Sequence, residues 1–238
     1  MNDDNYSLAV PFYDLWHEDG HVPVIREVLP PLLKGVHRSV MEIGAGTGLI
    51  TRVILQETPA EVYAVEPSFG MRSVLVNRLA EDPDALSRVT VLPSGALEAE
   101  ADEPVEAIVM ISVLQSFDAE QRPELWRTLR RQLEPGGLLL FNWRERTKPE
   151  PGELEVVGSY RVGRHIYEVA GQVLAVAGES VKGRYVYRVK QRDVVMSEDE
   201  VISVGHWPPG ARLFAELEAA GFARDAAPDG MQAWRVLK

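Results

Sequence analysis

The sequence predicts an α/β chain: a doubly wound, mostly parallel seven-stranded sheet, a helical cap before it, and an antiparallel β insertion after the fifth strand. Three observations predict it. From Val40 to about Trp143, β-branched runs alternate with helical periodicity, the rhythm of strand–helix–strand units whose right-handed crossovers build parallel sheets. The first of these strands runs into three glycines, VMEIGAGTGL between Val40 and Leu49. From about Glu153 to Val204 the pattern changes to alternation with glycine punctuation, which is the signature of antiparallel strands.

In order along the chain, residues 1–38 form the cap, with the aromatic-rich helices YSLAVPFYDLWHEDGH and PVIREVLPPLLKG. Residues 39–150 form a ligand-binding core. RSVMEI is its first strand, and GLITRVILQE is a helix with Leu49, Val53 and Ile54 on one face. EVYAVE is the second strand. SFGMRSVLVNRLAED is the second helix, with Ser68 at its N-cap and Met71, Val74, Leu75 and Leu79 turned inward. RVTVLP is the third strand. EAIVMISVL is the fourth, almost wholly apolar, as a strand covered on both faces must be. AEQRPELWRTLRRQLEPGG is a helix stopped by Pro135-Gly136-Gly137, and LLLFNW is the fifth strand. Residues 151–206 are the antiparallel insertion, a surface sheet or lid. Residues 207–238 hold the amphipathic helix ARLFAELEAAGF, ended by Gly221, and two closing strands. All of this reads as one domain, in keeping with 238 residues that are 45% hydrophobic.

Composition narrows the function classes. The net charge of −11 leaves no basic footprint for a nucleic-acid duplex. The absence of cysteine removes disulfides, thiolate nucleophiles and cysteine-ligated metal sites. No apolar run approaches the ~20 residues of a membrane-spanning helix, and the acidic, polar MNDDNYSLAV lacks the features of a signal peptide. The expectation is a soluble, cytoplasmic protein.

The glycine turn selects among ligands. A phosphate-cradling P-loop needs a lysine and a hydroxyl residue after its last glycine, and neither follows here. The dinucleotide fingerprint G-x-G-x-x-G/A does not fit either: Gly44, Gly46 and Gly48 are spaced G-x-G-x-G, and Leu49 stands where the last small residue belongs. Glu42, two residues ahead of the first glycine, repels a pyrophosphate but suits a cation such as a protonated α-amino group. Glu66 ends the second strand, where an acid accepts both ribose hydroxyls. The ligand indicated is a nucleoside that carries an ammonium.

E-x-G-x-G-x-G followed by VEPS, together with SGALE, ISVLQSF and LEPGGLLLFN, resembles the class I S-adenosylmethionine-dependent methyltransferases across Val40 to Trp143. The FYDLW segment and the insertion are also similar to the subset that methylates small natural products, sugar-amine N-methyltransferases among them. The resemblance implies a Rossmann-like fold and S-adenosylmethionine as cofactor, with S-adenosylhomocysteine as product. It implies that Glu42 and the backbone of Gly44, Ala45, Gly46 and Gly48 hold the methionine moiety, and that Glu66 binds the ribose. Pro67 and Met71 would flank the adenine, with Ala96 and Leu97 at its edge. Ile111 and Ser112 would face the sulfonium, and Tyr13 would cap the cofactor. Metal-dependent relatives carry aspartates where this chain has Ser112 and Asn142, so no metal is expected.

Methyl transfer from a sulfonium needs alignment, and a base only when the nucleophile arrives protonated. The candidate bases are His17 and His206. Candidate acceptor-site residues are Trp16, Gln115 (where many relatives carry a histidine), Trp143, Arg144 and Trp207; the tryptophans either wall the substrate or pack under the insertion. The expected activity is methylation of an amine or hydroxyl of a small molecule, of the kind met in secondary metabolism. The alternatives are a nicotinamide-dependent oxidoreductase, for which no Tyr/Lys proton-donor pair is evident, and a non-catalytic methyltransferase-like binding module. Expected partners are a small-molecule acceptor and a second copy pairing through the insertion, with no nucleic acid and no membrane.

Overall fold

A computed structural model describes residues 5–237; residues 1–4 of the expected cap and Lys238 of the last strand lie outside them. The cap is three helices: α1 (Asn5–Asp19), α2 (Val22–Val28) and α3 (Pro30–Leu33). Pro23 and Pro30 start the second and third of these, the position where a missing N–H costs nothing. The core follows as β1 (Ser39–Ile43), α4 (Leu49–Glu57), β2 (Glu61–Val65), α5 (Phe69–Ala80), α6 (Pro83–Arg88), β3 (Val89–Leu92), β4 (Val105–Met110), α7 (Arg122–Gln132) and β5 (Leu133–Asn142). The insertion is β6 (Glu155–Val162), β7 (His165–Ala177), β8 (Ser180–Gln191) and β9 (Val194–His206). Helix α8 (Gly210–Ala219) and strands β10 (Phe222–Asp225) and β11 (Met231–Val236) close the chain.

The main sheet has the order β10-β11-β5-β4-β1-β2-β3. Only β11 runs against its neighbours; β1, β2, β3, β4 and β5 pair in parallel. Both faces are covered. Trp126, Phe141, Leu213, Leu217 and Trp234 pack one side, and Ile25, Leu29, Val53, Ile54 and Leu140 the other. The chain turns outward from β1 to β3, then crosses back to β4. The crevice at the carboxyl ends of β1 and β4 is therefore the topological switch point where such sheets bind ligands.

The insertion is a separate four-stranded antiparallel sheet in the order β6-β7-β8-β9, a meander. The β8–β9 turn holds Arg192 and Asp193 at φ 49° and 66°, the left-handed pair that a two-residue hairpin turn requires. One face of this sheet sits on α1. Phe12 packs 5.2 Å from the ring centroids of both Tyr167 and Tyr187, and Ala9, Met71, Val169 and Val201 complete the cluster. The cap helix thus lies between the insertion and the core.

Three boundaries depart from the expectation. Helix α7 ends at Gln132, not at Pro135-Gly136-Gly137, because Leu133 is already extended and starts β5. Strand β4 ends at Met110; Ser112 then takes φ 58° and a 3-10 turn covers Leu114–Ser116. Helix α6 was not foreseen, although Asp82 caps it by accepting from Asp84 and Ala85 N–H, with Pro83 at its first position, which is a legible start signal.

Candidate functional site

The glycine turn rises from β1. Gly44 and Ala45 donate their N–H groups to Val65 O, at 2.8 and 3.0 Å, which pins the turn to the end of β2. Gly44 sits at φ 73°, and a Cβ there would lie 2.4 Å from Val113 Cγ2; no side chain fits between the turn and the loop after β4. Gly46, at φ 58°, passes beneath Tyr13, whose hydroxyl would be 3.4 Å from a Cβ.

Glu66 does more than the sequence suggested. Its two carboxylate oxygens accept the N–H groups of Gly46 and Ser68, each at 2.8 Å. It therefore braces the glycine turn to the start of α5 while its side chain stays on the cavity wall.

These elements enclose a cavity of about 320 Å³ at the switch point. It is walled by Tyr6 and Tyr13 of α1, the glycine turn, Glu66, Pro67 and Met71, the loop after β3, and Ile111, Ser112, Val113, Ser116 and Phe117 after β4. The volume lies within the range of small-molecule sites. Of the expected cofactor residues, Tyr13, Gly44, Gly46, Glu66, Pro67, Met71, Ala96, Leu97, Ile111 and Ser112 line it. Ala45 and Gly48 shape the turn without reaching the wall.

Glu42 is also behind the wall. It is 2% exposed, and the Thr51 hydroxyl donates to it at 2.6 Å. Burial pushes its carboxyl up to about 8, with the Thr51 bond opposing and the Glu66 charge adding to the rise. The expected direct contact with a cation is not seen: Glu42 lies one layer deeper, and burial keeps its carboxyl protonated at neutral pH. A stability consequence follows. The folded chain holds a proton on Glu42 that the unfolded chain loses near the ordinary 4.5, so this group's contribution to stability falls as pH rises from there to about 8. The slope is about 1.4 kcal/mol per pH unit. Glu42→Gln is expected to remove that slope, read as a flatter melting temperature against pH; equal slopes in both proteins refute it.

Ser112 is held in its left-handed conformation by Asn142 at the end of β5. Its N–H donates to Asn142 Oδ1 at 2.6 Å, and Asn142 Nδ2 donates back to Ser112 Oγ at 3.3 Å. Gln115 folds back to donate to Ser112 O. The cap is tied down beside this point: Asp14 accepts from Thr47 Oγ1 at 2.5 Å and pairs with Arg78.

The candidate bases do not stand on the cavity wall. His17 lies beside Tyr13 and Trp16, at ring distances of 4.2 and 5.1 Å, and its Nδ1 is 3.1 Å from Nδ1 of His21. His21, which the sequence reading passed over, places Nε2 3.5 Å from Ser112 Oγ; its spacing of four from His17 was the available signal. His206 is at the far end of β9 with Nδ1 3.0 Å from Ser180 Oγ, away from the cavity. Trp16 belongs to the aromatic cluster under the insertion, 5.8 Å from Tyr185. Trp143 packs against Phe214 at 5.3 Å and Gly210, as core. Arg144 is exposed. Trp207 stacks under Arg146 at 5.5 Å, and Gln115 and Trp207 both approach Gly205. The structure adds Tyr6, Glu98, Val113, Ser116 and Phe117 to the wall; Glu98 lies in the SGALE stretch and the last three in ISVLQSF, so only Tyr6 had no motif to announce it.

A family model described as a methyltransferase domain matches residues 41–139. The chain is 34% identical over 104 residues to protein arginine N-methyltransferase 6 of Xenopus tropicalis, covering 43% of this chain and 30% of that protein. It is 29% identical over 105 residues to malonyl-[acyl-carrier protein] O-methyltransferase of Priestia megaterium (strain DSM 319 / IMG 1521), covering 44% and 36%. The chain therefore spans about a third of the length of these curated relatives. Among solved structures it is similar over nearly its whole length to the sugar N-methyltransferase KedS8 from Streptoalloteichus sp ATCC 53650, with a TM-score of 0.74, 16% identity and coverage of 95% and 93%. SAM-bound CalS10, an amino pentose methyltransferase from Micromonospora echinaspora, gives a TM-score of 0.70, 14% identity and coverage of 92% and 91%. Among the described residues, no helix is long and apolar enough to cross a membrane.

Proposed function

Residues 41–139 belong to the class I S-adenosylmethionine-dependent methyltransferases, and from that premise we propose that the chain methylates an amine nitrogen on a small molecule of amino-sugar size. The cofactor is S-adenosylmethionine. The observation that carries the reading is the pairing of a bare glycine turn with Glu66, a carboxylate that holds that turn through Gly46 and still faces the cavity.

The residues present fit the group. Glu66 would take the ribose hydroxyls, and Pro67 and Met71 would hold the adenine with Ala96 and Leu97. The turn's backbone would take the amino-acid tail. When bound, the cofactor supplies an activated methyl on a sulfonium. The chain's task is then alignment: Ile111, Ser112 and Val113 would set the position of the incoming nucleophile, and Tyr6, Tyr13 and Phe117 would exclude water from it.

Nitrogen is favoured over oxygen by the absence of histidine from the described cavity wall. A hydroxyl needs a base close by, whereas an amine can shed its proton to a weaker or more distant one. Similarity to KedS8 and CalS10 in fold supports an amino-sugar-sized acceptor, and the acidic cavity, with Glu66 and Glu98 on its wall, suits a cationic one. Calorimetry is expected to show binding of S-adenosylmethionine and S-adenosylhomocysteine and none of NADH. An amine panel offered with S-adenosylmethionine should be methylated where the matching hydroxyl panel is not. Failure of both adenosyl compounds to bind would end the proposal, and methylation of hydroxyls alone would reverse the choice of atom.

A further inference from the structure

We propose that Ser112, His21 and His17 form a one-way proton relay that carries the acceptor's proton from the cavity to solvent. This rests on the methyltransferase reading and gives it the base that the cavity wall lacks.

The relay assigns a direction. Ser112 Oγ receives a hydrogen bond from Asn142 Nδ2 at 3.3 Å and keeps a second lone pair for the acceptor's proton; its own O–H is assigned to His21 Nε2, 3.5 Å away. That makes Nε2 of His21 the acceptor and places its ring proton on Nδ1. The His21 Nδ1 then donates across 3.1 Å to His17 Nδ1, which leaves the His17 proton on Nε2 of the half-buried ring. Every link has one donor and one acceptor, and the tautomers follow from the partners. The joint at Ser112 is long, as catalytic hydrogen bonds commonly are before the substrate arrives.

Both rings are neutral at pH 7. Burial is the largest cause: it pulls His21 below the ordinary value, and it pulls His17 to about 4, with His21 adding to the depression and Asp14 opposing it. Few charges reach the pair. Asp14 of α1 is engaged by Thr47 from the glycine turn and Arg78 from α5, and Glu18 and Arg26 on α1 and α2 are paired with each other. From β4 and β5 the facing groups are the neutral Ser112 and Asn142. Both nitrogens of His21 are used inside the protein, which argues against the ring serving as a direct anchor for a ligand carboxylate.

The step balances. As the acceptor's N–H proton passes to Ser112 Oγ, the serine proton passes to His21 Nε2 and the His21 Nδ1 proton passes to His17 Nδ1. The nitrogen lone pair left behind forms the new bond to carbon. His17, then protonated on both nitrogens, releases the outer proton to water, and the rings regain their starting tautomers by exchange.

The test is nitrogen-resolved spectroscopy of the histidine rings in the full-length protein. The expected result is His21 protonated on Nδ1 and His17 on Nε2. In Ser112→Ala the His21 tautomer redistributes, and in His21→Gln the His17 titration moves up toward the ordinary histidine range. On the amine that the panel identifies, His21→Gln is expected to lower kcat by roughly a hundredfold below the amine's own pKa, the lower end of what a positioned acid–base group contributes. The loss should vanish at higher pH, where the amine arrives neutral. S-adenosylhomocysteine affinity of His21→Gln should match that of the unaltered protein. A His21 proton on Nε2, tautomers indifferent to Ser112, or a kcat loss equal at all pH overturns the relay, and so does a fall in S-adenosylhomocysteine affinity, which would make the ring a ligand anchor. Failure of the unaltered protein to bind S-adenosylhomocysteine is a different result and falls on the function itself.

Discussion

Glu66→Ala is expected to weaken S-adenosylhomocysteine binding by about 10- to 100-fold, from the loss of charge-assisted hydrogen bonds to ribose worth about 1.5–3 kcal/mol. The structure adds a second effect that the sequence did not disclose. The Gly46 and Ser68 amides both donate to this carboxylate, and Glu66 is only 6% exposed, so alanine strands two shielded N–H groups. Each costs about 1–3 kcal/mol, which in a chain of this size lowers the melting temperature by roughly 2–4 °C per kcal/mol. Affinity and melting temperature should therefore fall together in Glu66→Ala. Glu66→Gln keeps one carbonyl acceptor and the shape, so it should recover part of the stability while affinity stays low. Calorimetric titration and a thermal melt on both variants decide this; an unchanged affinity for either would remove Glu66 from the site.

The largest loss of stability is expected at Arg122. This guanidinium is fully buried at the start of α7. It meets Glu179, between β7 and β8, at 2.8 Å and Glu216 of α8 at 2.8 and 3.0 Å, and it donates to Phe117 O at 3.3 Å. Arg122→Ala leaves two shielded carboxylates facing each other, with the half-exposed Arg212 and the Trp126 indole N–H to answer them. Breaking one side of a buried ion pair costs about 3–5 kcal/mol. The comparison variant is Arg127→Ala on the same helix, whose partner Glu124 lies in solvent and whose loss should stay below about 1 kcal/mol. Equal melting shifts for the two would show that the buried network contributes no more than a surface pair.

How much of this was legible depended on which physical signal each residue leaves in one dimension. Parallel strands buried on both faces write long apolar runs, so β1, β4 and β5 could be read directly, and the glycines spelled out the turn because only a bare backbone passes Val113 at Gly44 and because Gly46 and Gly48 take positive φ. Glu66 was located by its spacing from the turn. The depth of Glu42 was not legible, since one residue along a strand carries no statement of how far behind a surface its side chain ends. Trp143 illustrates the converse limit. An aromatic residue at a strand end reads alike whether it faces a ligand or Phe214, and only the position of α8 resolved it. Tyr6 reaches the site through the packing of α1, a long-range contact with no local pattern, whereas Ser116 lay inside the ISVLQSF stretch and His21 four residues from His17, signals present in the sequence. The end of α7 was misread because Pro-Gly-Gly terminates helices so commonly, yet Leu133 had already joined the β4 ladder.

The insertion hydrogen-bonds as a sheet only to itself and is one unbroken stretch, 155–206. Its grip on the rest of the molecule is an apolar strip against Phe12 and Trp16, ion pairs from Glu179 to Arg122 and Arg212, and the approach of Gly205 to Gln115. Such an element behaves as a cassette: a graft of those residues, carried with the first helix that it clasps, is expected to move as one piece and leave the seven-stranded sheet in place.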